Sequence, residues 1–123
     1  MKKSGLIALA LILGQVFAAG AALAEPMTWK FKSQHANIVD VQLYASARHN
    51  VWPGNGQVWS LKDYAAHTVT INCQRGEKVC FGAWVRGTES SYWGGGRNNA
   101  KNCSSCCYTC GSTVETPVIN LNR

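Results

Sequence analysis

The chain has 123 residues, a formal net charge of +6 and six cysteines, and 46% of its residues are hydrophobic. A chain of this length folds as one domain with a modest core, which excludes a multidomain architecture. Its basic residues are scattered and form no lysine or arginine run, so the charge indicates a solvated surface in preference to a dedicated polyanion site.

The N-terminal segment has the parts of an export signal. Lys2 and Lys3 form a positive region, an apolar stretch runs from Leu6 to Ala24, and Ala22-Leu23-Ala24 matches the small-x-small pattern of a signal-peptidase site. The stretch nears the length of a membrane-spanning helix, but its second half is weakly hydrophobic and no basic stop-transfer cluster follows. We therefore predict a signal peptide at 1–24 that is removed by cleavage.

The mature chain, 25–123, is predicted to be a single secreted or periplasmic domain with no stable membrane insertion after cleavage and no nucleic-acid partner. Loss of two lysines with the signal leaves ten basic and six acidic residues, a net charge of +4. This charge favours anionic surroundings such as envelope polymers or lipid headgroups.

Apolar and polar residues alternate along most of the mature chain, the pattern of half-buried strands. Turn residues interrupt the pattern at 48–56 and at 74–78, and the second interruption predicts a hairpin loop. The cysteine-dense segment 97–111 is too polar to predict a strand. The fold class is therefore all-β, a small antiparallel β-sandwich stapled by disulfides, with a cysteine-rich C-terminal loop. About six to seven strands are expected, with those at 29–32, 39–45, 57–61, 68–73, 79–85 and 118–121 indicated directly by the sequence.

Six cysteines in a short exported chain favour a framework of three disulfides. The alternative is a metal site, since the cluster from Cys103 to Cys110 holds two C-x-x-C units and hence four possible thiolate ligands. Spacing leaves the pairing open. One scheme joins Cys73 to Cys80 and pairs the other four among themselves, and another ties the C-terminal cluster back to the hairpin. The predicted disulfide residues are Cys73, Cys80, Cys103, Cys106, Cys107 and Cys110.

Residue patterns of catalysis are missing from the sequence. The C-x-x-C units have no strand–helix context of the kind that activates a thioredoxin-type thiol. His35, His49 and His67 show no ligand spacing, and no serine lies in a nucleophile-elbow context. We therefore predict a protein that is not an enzyme and takes no cofactor.

Two tryptophans stand beside turn residues and are candidates for a contact surface. Trp52 precedes Pro-Gly and Trp93 precedes three glycines, which places them on predicted loops at one end of the sandwich. Exposed aromatic side chains combine an apolar face with a polar tip, which suits sugars and interfacial lipids. Arg48 and Arg97 are expected to flank them and complete the predicted binding residues. Packing of both tryptophans into the core is the competing interpretation.

Several segments resemble small exported cysteine-rich bacterial proteins of unassigned function. They are Trp52-Pro53-Gly54, the run from Gly76 to Trp84, Tyr92-Trp93-Gly94 and the cysteine cluster that follows. The resemblance covers most of the mature chain and implies no activity. The aromatic opening strand and tryptophan-rich turn are also loosely similar to thaumatin-type and cytolysin-type β-sandwiches. The thaumatin cysteine framework is longer, so no residue roles are transferred from it.

These observations lead to a hypothesis and two alternatives. The hypothesis is a non-enzymatic exported binding or interaction module whose aromatic loops contact an envelope component or a partner protein. The first alternative is a metal-binding protein that uses the Cys103–Cys110 cluster. The second is an envelope-active toxin or effector, which the charge and the tryptophans permit.

Overall fold

The computed structural model describes residues 23–122, so most of the predicted signal segment lies outside the described residues. Ala24, after which cleavage is predicted, is the first residue of a strand. Nine strands account for the regular structure, together with two short 3-10 turns at Ser46–Arg48 and Arg97–Asn99. The strands are β1 Ala24–Ser33, β2 Val39–Ala45, β3 Asn50–Trp52, β4 Trp59–Leu61, β5 Ala66–Gln74, β6 Lys78–Val85, β7 Thr88–Gly94, β8 Cys107–Thr109 and β9 Glu115–Leu121.

The strands form two sheets, which confirms the predicted all-β class. The first sheet has the order β5-β1-β9, and the second has the order β3-β2-β6-β7. Strand β4 continues the β3 edge along β2, and β8 continues the β7 edge along β6. The strand count is nine, above the expected six to seven. The strands pair antiparallel as predicted, except that β1 and β9 run parallel.

The core lies between the sheets and is built by strict alternation. Met27, Trp29 and Phe31 point inward from β1, and each is at most 2% exposed. They meet Val41 and Leu43 of β2 in one apolar cluster. Since successive side chains of a strand point to opposite faces, the period-two pattern of the sequence translates directly into this core.

Strand β2 is buried on its other face as well, which alternation alone does not predict. Asp40, Gln42 and Tyr44 face away from the core, yet each is at most 5% exposed. Asp40 is satisfied there by two hydrogen bonds from Arg86, at 3.0 and 2.8 Å, and one from the Ser60 hydroxyl at 2.9 Å. The outer face of the second sheet therefore carries a small buried polar layer.

The predicted hairpin at 74–78 is wrong. Strand β5 belongs to the first sheet and β6 to the second, so the segment between them crosses from one sheet to the other. Backbone hydrogen bonds attach this crossing to Cys110, with Gly76 N donating to Cys110 O at 2.8 Å and Cys110 N donating to Glu77 O at 2.9 Å.

Two further expectations need correction. The interruption at 48–56 contains β3, and the cysteine-dense segment contains β8. Both are three-residue strands that pair with the end of a long strand. This pairing stabilises a strand conformation that their composition does not indicate. Among the described residues, no helix has the length and apolar character needed to cross a membrane.

Candidate functional site

All six cysteines are paired, which confirms the predicted disulfides. The bonds are Cys73–Cys110, Cys80–Cys107 and Cys103–Cys106. The C-terminal cluster is thus tied back to the strands that precede it, as in the second of the two schemes. Cys73 and Cys80 do not pair with each other, since Cys73 is bonded to Cys110 and Cys80 to Cys107.

The cysteine pairing bears on the metal alternative. The four sulfurs of the Cys103–Cys110 cluster do not converge, because Cys110 is bonded to Cys73. The sulfurs that lie close together are those of Cys80, Cys106 and Cys107, all within 4.8 Å of one another. All three are engaged in disulfides here, so a metal site at this point requires the reduced protein.

Trp52 and Trp93 do not lie on loops at one end of the sandwich, and that expectation is wrong. Trp52 belongs to β3 and Trp93 to β7, the opposite edges of the second sheet. With two strands between them, their backbones are separated by roughly 14 Å. Both share a face with core residues, Trp52 with Leu43 and Trp93 with Ala83, and both pack against the core.

Arg48 and Arg97 each form an ion pair. The Arg48 guanidinium donates to both carboxylate oxygens of Glu77, at 2.7 and 2.8 Å. This hydrogen bonding lowers the pKa of Glu77, against an opposing effect of burial. Arg97 pairs with Glu89 at the surface and lies 5.9 Å from the ring centre of Trp84. Arg48 also lies 5.9 Å from the ring centre of Trp52, so it flanks that tryptophan as predicted, whereas Trp52 and Trp93 stand at opposite edges of the second sheet.

Charge pairing extends over the whole described chain. Each of the six acidic residues lies within ion-pair distance of a basic side chain. Four lysines in the described part of the chain have no such partner and carry its uncompensated positive charge, namely Lys32, Lys62, Lys78 and Lys101.

Strand β7 departs from regular pairing beside Tyr92, the residue that Lys101 contacts. Val85 pairs with Thr88 across a two-residue turn, but the next residue, Trp84, pairs with Tyr92. Three residues, 89–91, are therefore extra on the β7 side and bulge from the sheet. Bulges re-aim side chains and are common beside binding sites.

Two clefts flank this bulge and share Ser90. One, of about 400 Å³, is lined by Ser90, Ser91, Tyr92 and Trp93 together with His35. We call these five residues, with Lys101, the β7 face. The other cleft, of about 330 Å³, is lined by Glu89, Ser90, Gly96, Arg97, Ala100 and Lys101.

The β7 face combines a cation with Tyr92 and Trp93, two aromatic side chains that point to opposite sides of the strand. Tyr92 is 43% exposed, and the Lys101 ammonium lies 5.1 Å from the centre of its ring. Trp93 is held in position, since its indole N–H donates to Asn122 O at 3.1 Å and its ring meets His35 edge to face. The arrangement offers hydroxyl groups, aromatic surface and one unpaired positive charge.

Sequence reasoning found Trp93 but missed the rest of this face. The sequence singles out Tyr92 only as part of the segment Tyr92-Trp93-Gly94, and Lys101 only as one of several scattered cations. The Ser-Ser-Tyr-Trp run before three glycines was the available signal, but the bulge that exposes it depends on pairing with β6.

Comparison of the chain with protein-family models, with curated proteins and with solved structures finds no match. The functional argument therefore depends on the geometry alone.

Proposed function

We propose that this protein is an exported, non-enzymatic binding module that contacts an anionic component of the cell envelope through the β7 face. The observation that carries the proposal is the pairing of Tyr92 with Lys101. An exposed ring stands at a bulged strand edge beside an ammonium group that has no acidic partner among residues 23–122. An anionic polymer can be attracted by the ammonium and pack its apolar portions on the ring.

The surrounding charges support this placement. The neighbouring Arg97–Glu89 pair is half-exposed, with 52% and 51% of the two side chains accessible. Ion pairs at such positions contribute little to stability, so an incoming anion can replace Glu89 at low cost. Arg97 then offers the ligand a second cation, so the proposal keeps Arg97 as a binding residue.

Co-sedimentation of the mature protein with a purified envelope fraction tests the proposal. Tyr92→Ala and Lys101→Gln are expected to reduce the bound fraction several-fold, and raised salt is expected to weaken wild-type binding. Lys62→Gln is the matched control, since it removes another unpaired lysine outside the β7 face. Wild-type association by both β7-face variants rejects the surface. Loss of binding after protease treatment of the envelope fraction rejects an anionic polymer in favour of a protein partner.

A further inference from the structure

Another cleft, separate from the two beside β7, lies on the outer face of the second sheet. Its volume is about 270 Å³, and it is enclosed by the two 3-10 turns. Tyr44 and Val51 line it, together with a polar set that we call its rim, namely Ser46, His49, Asn98 and Asn99. Asn50 completes the lining. We call this the asparagine cleft.

Most residues that line the asparagine cleft have polar side chains, and none of them is a carboxylate, a lysine or an arginine. The nearest basic residue in sequence, Arg48, is directed to Glu77. The Tyr44 hydroxyl lies 2.8 Å from both Gly96 O and Gln42 Oε1, and the side chain is only 3% exposed, so the apolar surface of the cleft comes chiefly from Val51, which is 36% exposed. Carboxamide and hydroxyl groups of the rim can both donate and accept hydrogen bonds.

The rim is held in a costly conformation. His49, Asn98 and Asn99 all have left-handed backbone, with φ of 52°, 56° and 56°. Asn99 Oδ1 is buried without a donor among the described residues, and Asn99 Nδ2 reaches Ser46 Oγ only at 3.4 Å. Left-handed residues and unpaired buried polar atoms each cost free energy, and such costs concentrate where loops are shaped for a ligand.

We propose that the asparagine cleft binds one neutral sugar ring. A pyranose presents adjacent hydroxyl groups that both donate and accept, which matches the carboxamides and the Ser46 hydroxyl. Its C–H face matches Val51, the exposed apolar side chain of the cleft. The small volume admits a single ring, and the charge-neutral rim favours an uncharged one over a uronate. This site is independent of the β7 face, and its test does not depend on envelope binding.

Amide chemical-shift mapping of the mature, disulfide-bonded protein tests the proposal. The probes are the methyl glycosides of glucose, galactose, mannose and N-acetylglucosamine, with tetrahydropyran-2-methanol as a ring that lacks the hydroxyl array. At least one glycoside is expected to shift the amide signals of Ser46, Asn98 and Asn99, and the control ring is expected to shift none. Repeating the titration with the matching β-linked disaccharides distinguishes a glycan end, which binds more tightly, from a free monosaccharide, which does not.

Variants that preserve the backbone make the assignment specific. Asn98→Gly removes the carboxamide while keeping the left-handed conformation, and Ser46→Ala removes the hydroxyl. Each is expected to weaken binding roughly two- to tenfold, the effect of losing one hydrogen bond. Asn102→Gly, at φ 53° and outside the cleft, is the matched control and is expected to bind like the wild type. If no glycoside shifts these signals, if the shifts map to the β7 face, or if both cleft variants bind normally, the proposal is wrong.

Discussion

Cys73 and Cys110 join the two sheets of the sandwich, with their Cα atoms 6.2 Å apart and 37 positions apart in sequence. Cys73 lies in β5 of the first sheet, and Cys110 follows β8 of the second. The same point is held by backbone hydrogen bonds between Cys110 and the segment that crosses between the sheets. The bond therefore closes the largest loop at the place where the sheets meet.

The first prediction is that the disulfides contribute unequally to the free energy of unfolding. Closing a longer loop restricts the unfolded chain more. Replacing Cys73 and Cys110 by alanine should cost about 4 kcal/mol, against about 2 kcal/mol for the Cys103–Cys106 pair, whose sequence separation is 3. Urea unfolding of the two double variants measures the difference. Equal losses would show that loop closure does not govern the contribution of these bonds.

The second prediction separates packing from binding at the two tryptophans. Both are partly buried against the core, so Trp52→Ala and Trp93→Ala should each lower the free energy of unfolding by about 2–3 kcal/mol, below the cost of a fully buried tryptophan. Thermal melts provide the measurement, with Trp→Phe at each site as the conservative control. Alanine variants that keep full stability but lose envelope association would restore the original hypothesis of a tryptophan contact surface.

The third prediction is a dependence of stability on pH through Glu77. Its pKa is lowered from its ordinary value of 4.5 chiefly because the Arg48 guanidinium donates to the carboxylate, with a further hydrogen bond from Gln74 N. A lowered native-state pKa means that the ionised group stabilises the fold above its unfolded-state pKa, and that this contribution is lost as pH falls through the native-state value. The free energy of unfolding should therefore decline below about pH 4.5.

Urea unfolding between pH 3 and pH 7 tests the contribution of this pair. Glu77→Gln should cost about 1 kcal/mol at pH 7, since the ion pair remains partly exposed to solvent, and Arg48→Met should lower the free energy of unfolding in the same direction. Both variants should show a shallower acid decline than the wild type. An unchanged acid slope in both variants would exclude Glu77 as a source of the pH dependence.

The fourth prediction concerns Gly82, over which the Tyr44 ring packs. A Cβ atom at this position would lie 2.1 Å from Gly96 O and 2.8 Å from Tyr44 Cε2. Because the carbonyl belongs to the backbone, the loop that carries it would have to move. Gly82→Ala should destabilise the protein by about 1–3 kcal/mol. Ser91→Ala, on an exposed part of β7, is the control, and equal melting temperatures for the two variants would contradict the packing argument.

The fifth prediction is that the mature N-terminus is Glu25. Cleavage after Ala24 removes one residue of β1 and the Leu23 carbonyl that accepts from Arg75 N. It leaves the ion pair between Glu25 and Arg75 in place. N-terminal sequencing of the exported form tests this prediction, and intact Met1 on a membrane-bound species would contradict it.

The sequence by itself determined the class of the fold and the location of most strands. The alternation from Val39 to Ala45 predicts β2 with the bounds that the structure has, and the segment 79–85 predicts β6 to within one residue. Alternation is a local property, since each side chain's face follows from its neighbours along the strand. The even number of cysteines in a short chain similarly indicated disulfides without indicating their partners.

Only the tertiary structure decided which strands share a sheet, which cysteines pair and which side chains form a site. These relationships join residues that are distant in sequence, such as Cys73 with Cys110 or Ser46 with Asn99, and local patterns carry no information about them. The short strands β3 and β8 exist because a long strand offers them hydrogen bonds. The bulge that exposes Tyr92 exists because β6 pairs with Tyr92 and not with Glu89. The candidate sites therefore arise from pairing and register, which are properties of the folded chain as a whole.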